Sequence, residues 1–177
     1  LHRFLAARGP GIHHVTFKVP SLEDAADRAR RFGYEVVGWF DALPAWKECF
    51  LHPKQAQGIV VQLAESNPEL EPGPPPDWAA WLPETPPAPS AATVRGVRLT
   101  AQDEGAARRQ WRDALGGRLE VTAPDRLGFS WPDPALRIDA VIRPEAAAGP
   151  LGIELASPRG WPEGGVERLG ARFVEGA

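Results

Sequence analysis

The sequence predicts an α+β chain made of repeated strand, helix and three-strand units, and three observations carry that reading. Residues 9–65 hold one complete βαβββ unit. The same order recurs in weaker form over residues 93–148, and the segment between them, 66–92, contains nine of the chain's twenty prolines. Proline at that density prevents helix and central strand and favours extended segments, so 66–92 reads as a semi-rigid linker between two units.

Taken in order, Leu1, Phe4 and Leu5 share one helical face before Gly9, which predicts a short helical lead-in. The chain has no methionine and begins with a bulky Leu1, so an upstream unit is expected. Ile12 to Val19 alternates, with Val15, Phe17 and Val19 on one face and His14, Thr16 and Lys18 on the other, the period of a half-buried strand. Pro20 ends it. Ser21 and Asp24 form a capping box, and Leu22, Ala25, Ala26, Ala29 and Phe32 recur at helical spacing until Gly33. Strands are expected at Tyr34–Phe40, Lys47–Leu51 and Gly58–Ala64, where β-branched and aromatic residues concentrate between Pro44 and the His52-Pro53-Lys54 turn. In the last of these, Gln62 lies on the face opposite Ile59, Val61 and Leu63. His14 and Gln62 therefore look out from the open face of the sheet if the helix covers the apolar one.

In the linker, Trp78, Trp81 and Leu82 have the spacing of one helical turn and read as packing of the linker onto a unit, with a partner-binding site as the alternative. The second unit has a strand at Val94–Ala101 and a helix from Asp103 to Leu115 with Ala107, Trp111, Ala114 and Leu115 inward. Strands follow at Arg118–Thr122, Leu127–Trp131 and Leu136–Arg143. Laying VRGVRLTA on GIHHVTFKV puts Gly96 where His14 sits, so this unit has lost that side chain, while Asp139 falls near the position of Gln62. The remaining segment, 149–177, begins with GPLGIELASP. This can be laid on GPGIHHVTF, with Glu154 on His14, as the start of a truncated third unit, or read as the last strand of a unit. A closing strand is expected at Glu167–Val174.

Composition narrows the function classes. A net charge of −3 and an isoelectric point near 5.8 leave no basic footprint for nucleic acid. No stretch has the roughly 18 apolar residues of a membrane span, so neither a membrane nor a nucleic acid is an expected partner. The single cysteine, Cys49, excludes an internal disulfide and suits a cytoplasmic setting. Among individual residues, His13 on the helix-facing side, His52 in its turn, the turn residue Lys54 and Cys49 all read as structural or solvated.

The run GPGIHHVTFKV, a helix, then FLHPK and GIVVQLAE resembles the second half of the methylmalonyl-CoA epimerases. These belong to the vicinal oxygen chelate superfamily, together with glyoxalase I, extradiol dioxygenases and bleomycin-resistance proteins. The resemblance implies a glyoxalase-like fold, in which paired βαβββ modules curl into an open barrel and each module gives a ligand from its first and last strands. It carries the metal ligands onto His14 and Gln62, where the epimerases usually have Glu, and Glu154 completes the set as third ligand and candidate catalytic base, with Asp139 in reserve.

The implied activity is that of an isomerase or lyase, in which a divalent metal ion stabilises the enolate of a small carbonyl or thioester substrate. Two alternatives stand beside it. One is a metal-free small-molecule binding protein of the bleomycin-resistance type, with a cleft lined by Trp39, Trp46 and Phe129. The other is an extradiol-type dioxygenase, which needs a second histidine beside His14. Unpaired strand edges make a homodimer the expected assembly.

Overall fold

Alternation over Ile12–Val19 becomes the strand β1 (His14–Lys18) in the computed structural model, with Val15 and Phe17 half-buried and His14, Thr16 and Lys18 exposed. Residues 5, 6, 9, 11–52, 54–70, 73, 93–132, 136–156, 166–168 and 171–175 are described. Most of the lead-in and of the linker, including Trp78 and Trp81, lie outside the described residues.

Helix α1 (Leu22–Arg31) starts where the sequence places it. The Ser21 hydroxyl accepts the Asp24 amide at 3.2 Å, and Leu22, Ala26 and Ala29 are buried. Phe32, expected on the inward stripe, is the C-cap and is 40% exposed, because its backbone has already left the helix. Glu65 adds an anchor from the sheet by accepting the Leu22 amide at 2.8 Å and the Lys47 ammonium at 2.7 Å. Chiefly the Lys47 hydrogen bond holds its carboxyl below the ordinary carboxylate value. Strands β2 (Val36–Leu43), β3 (Trp46–Leu51) and β4 (Val60–Ser66) complete the unit. They form a four-stranded sheet in the order β1-β4-β3-β2, with β1 parallel to β4 and the other pairs antiparallel.

The second unit repeats this order. Strand β5 (Thr93–Ala101) leads to α2 (Glu104–Ala114), then β6 (Arg118–Ala123), β7 (Arg126–Ser130) and β8 (Arg137–Ile142), arranged β5-β8-β7-β6 with β5 parallel to β8. From Arg108 to Ala114, α2 widens into a π-helix, marked by the Leu115 amide donating to the Gln110 carbonyl at 3.0 Å. The added residue per turn rotates Gln110 into the core beside Trp111, a burial that a 3.6-residue period does not predict. Its amide is satisfied there by Gln57, whose Nε2 donates to Gln110 Oε1 at 3.1 Å.

Strand β9 (Gly149–Ala156) lies antiparallel on the outer edge of β5. Where one closing strand is expected, the chain forms two, β10 (Val166–Arg168) and β11 (Ala171–Glu175). They pair antiparallel, and β11 runs parallel to β9. The order β9-β11-β10 therefore matches the first, last and third strands of the two complete units. The resulting seven-stranded sheet is curled and open, like its four-stranded neighbour.

Both helices cover the apolar faces, and one core joins the two sheets, with Leu63, Val61 and Cys49 from the first meeting Leu99, Phe129 and Ala140 from the second. Phe17 links them, its ring centroid 4.8 Å from Trp131 and 6.3 Å from Trp111. Burial pushes the Cys49 thiol up to about 11, which keeps it an inert core group. Among the described residues, no helix is long and apolar enough to cross a membrane.

Candidate functional site

Parallel pairing of first and last strands fixes which side chains meet on each open face. In the first sheet His14 is in register with Val60 and Thr16 with Gln62, while Glu48 of β3 is in register with Ala64. The same parity puts His14, Thr16, Glu48 and Gln62 on the face away from α1. There the Thr16 hydroxyl donates to Gln62 Oε1 at 2.6 Å. The Gln62 amide donates to Glu48 Oε2 at 2.6 Å, and Trp46 Nε1 donates to the same oxygen at 2.7 Å.

The second sheet has the same register two residues after Gly96. Arg98 pairs with Asp139 as Thr16 does with Gln62, and Arg126 pairs with Val141 as Glu48 does with Ala64. Both units thus use the same three positions to span the open face, but the chemistry differs. The neutral chain Thr16–Gln62–Glu48 becomes the ionic chain Arg98–Asp139–Arg126. Asp139, held in reserve on sequence grounds, is the register equivalent of Gln62.

Glu154 joins this second cluster from β9. Its Oε1 accepts from Arg98 Nη2 at 2.6 Å and from Arg126 Nη2 at 3.3 Å, and its Oε2 accepts from Arg137 Nε at 3.0 Å. Arg126 also donates through Nε and Nη2 to Asp139 Oδ2. The Glu154 and Asp139 side chains are 0% and 2% exposed, whereas those of Arg98, Arg126 and Arg137 are 22%, 26% and 26% exposed. Burial pushes the Asp139 carboxyl up. The hydrogen bonds from Arg126 and the charges of Arg126 and Arg98 outweigh it and hold the group below its ordinary value.

His14 and Gln62 therefore share one sheet, and Glu154 belongs to the other. His14 is exposed, its Nδ1 3.1 Å from Nδ1 of His13. Among the described residues, the three expected ligands do not converge on one point. Both ends of the Gln62 amide are committed, Glu154 is ligated by arginines, and no group of three His, Cys, Asp or Glu side chains converges among the described residues. Glu48 is the functional-face residue that sequence reasoning missed. Alternation in Trp46–Leu51 would have placed it opposite Cys49 and Leu51, but only the register shows it against Gln62.

The expected aromatic cleft also changes. Phe129 is 0% exposed in the shared core, and Trp39 is exposed on β2, where its Nε1 donates to Asp41 at 3.0 Å. Phe129 lies on the helix-covered face because its register partner is Ile138, not Asp139. A cavity of about 260 Å³ lies instead along the outer edge of β1, between the two sheets. Its apolar wall includes Phe17, Val97, Trp131 and Ile138, and its charged residues are Lys18 and Arg137.

Gly96 explains why the second unit lacks a counterpart of His14. A Cβ at Gly96 would stand 2.0 Å from the backbone oxygen of Arg137, closer than any side chain tolerates. Gly96→Ala is accordingly expected to destabilise the chain by roughly 1–3 kcal/mol, as overpacking does. A denaturant midpoint equal to that of the parent chain would show that β8 yields at this point.

No protein-family model matches the sequence, and neither does any curated protein. Among solved structures, a hypothetical protein from Staphylococcus aureus aligns with 98% of this chain and 70% of its own at a TM-score of 0.62 and 8% identity. A mutant of 4-hydroxymandelate synthase from Streptomyces coelicolor aligns with 86% of this chain and 51% of its own, at a TM-score of 0.54 and 9% identity. The chain shares its fold with these two structures, an α+β architecture of curled, open sheets as the sequence predicts. Methylmalonyl-CoA epimerase from Mycobacterium tuberculosis is 33% identical over 38% of this chain and 47% of its own, at a TM-score of 0.35. The chain thus spans about half the length of the synthase and of the epimerase. At 8% and 9% identity the two broader matches specify architecture and leave the chemistry to the site.

Proposed function

We propose that the chain is a small-molecule binding protein on a vicinal oxygen chelate scaffold, holding its ligand with its own side chains. The observation that carries this reading is the placement of Glu154. It is the strongest carboxylate available for metal and base chemistry, yet it sits in the second sheet with both oxygens bonded to Arg98, Arg126 and Arg137. With both oxygens already accepting from guanidiniums, this carboxylate has few lone pairs left to offer a metal ion or a substrate. The cavity beside β1 supplies an apolar wall with two cationic residues, the pattern of a pocket that binds and orients an organic ligand.

A second reading keeps a metal-dependent isomerase or lyase acting on a small carbonyl or thioester. Its support is the face shared by His14, Gln62 and Glu48, which offers nitrogen and oxygen donors and would need further ligands from another module. Metal analysis after incubation with zinc, manganese or nickel and removal of free ion separates the two. The binding-protein reading expects well below one ion per chain, with no change in His14→Ala. A stoichiometric ion that His14→Ala abolishes would overturn it in favour of the metal enzyme.

A further inference from the structure

We infer that the Arg98, Arg126 and Arg137 cluster is an oxyanion-binding site, and that the ligand is a small organic anion whose charged group meets Arg137 while its apolar body lies in the cavity beside β1. This rests on the binding-protein reading and specifies the ligand class. The cluster holds three guanidiniums around two buried carboxylates. The carboxylates are buried behind the arginines, and what the open face presents is guanidinium.

Donor accounting points the same way. The Arg137 Nε bond to Glu154 leaves both terminal nitrogens without a partner among the described residues, and Arg98 Nη1 is in the same position. A planar fork of unused N–H groups matches a carboxylate or a phosphate. Arg137 is also the residue common to cluster and cavity, where Leu136, Val94 and Val97 stand beside it. Here Glu154 and Asp139 fix the guanidiniums in place, and the unused N–H groups of Arg137 are left for a ligand.

The test compares benzoate, benzyl phosphate and benzyl alcohol, which share an apolar ring, by titration calorimetry on the full chain at low salt. Both anions, or one of them, should bind at least tenfold more tightly than the alcohol, and the preferred anion tells a planar from a tetrahedral headgroup. Arg137→Gln should lower anion affinity about tenfold or more and alcohol affinity by much less. Arg137→Lys, which keeps the charge but not the fork, should restore part of it. Equal binding of alcohol and anions, or unchanged anion affinity in Arg137→Gln with its fold intact by circular dichroism, would overturn the inference and leave the cavity reading standing. Absence of binding by all three probes would count against both. If Arg137→Gln does not fold, Lys18→Gln in the same cavity is the control: it should weaken the anions less than Arg137→Lys does, and the reverse order would overturn the assignment to Arg137.

Discussion

Replacing Glu154 with alanine is expected to lower the unfolding free energy by about 3–5 kcal/mol, the range for breaking a buried ion pair by removing one member. The side chain is fully buried and accepts from three arginines, so its removal leaves guanidiniums packed together around an emptied volume, with Asp139 as the remaining buried carboxylate beside them. The consequence should be structural as well, because Glu154 is the side chain through which β9 grips β5 and β8. Urea unfolding followed by tryptophan fluorescence measures the loss, and a change below about 1 kcal/mol, as for an exposed pair, would show that the cluster is solvated.

The same cluster sets an acid limit. Asp139 has a folded-state value below its unfolded one, so its stabilisation is complete above the unfolded carboxylate range near ~3.9 and is lost as pH falls through the folded value.

Truncation of Trp111 to alanine should cost a similar amount, about 3–5 kcal/mol, through lost burial and the cavity left behind. The indole is 0% exposed where α2 meets the core shared by the two sheets, with Phe17 of β1 on its flank. Its Nε1 is buried with no hydrogen-bond partner among the described residues. Trp111→Phe removes that unmet donor along with part of the ring and should therefore cost clearly less than alanine. Because residues of both sheets share this core, the alanine variant should still unfold in a single transition. Two separate transitions, or a loss below about 1 kcal/mol, would mean that the sheets do not depend on this contact.

Much of the architecture was legible along the chain because it rests on local rules. Strand alternation in Ile12–Val19, the Ser21 cap and the glycine stop at Gly33 depend on neighbouring residues, and the second unit repeats them with different side chains. Where those local rules were violated, the reading missed. The π-turn in α2 shifts the buried face to include Gln110, and nothing in the spacing of Ala107, Trp111 and Ala114 announces it. Likewise Phe129 looks like a cleft residue until its pairing with Ile138 puts it in the core.

The candidate site divides along the same line. Parity within a strand was enough to put His14 and Gln62 on one open face and Glu154 opposite Ile153 and Leu155. Sequence by itself therefore determined the fold class, the repeat and the side of each strand on which a polar residue stands, since these follow from periodicity and backbone geometry. Only the tertiary structure decided what those residues meet. The bond from Gln62 to Glu48, the equivalence of Asp139 and Gln62, and the three arginines on Glu154 all depend on strand register. Register is set by pairing between segments far apart in the chain, and a shift of one residue would turn each of these side chains to the opposite face.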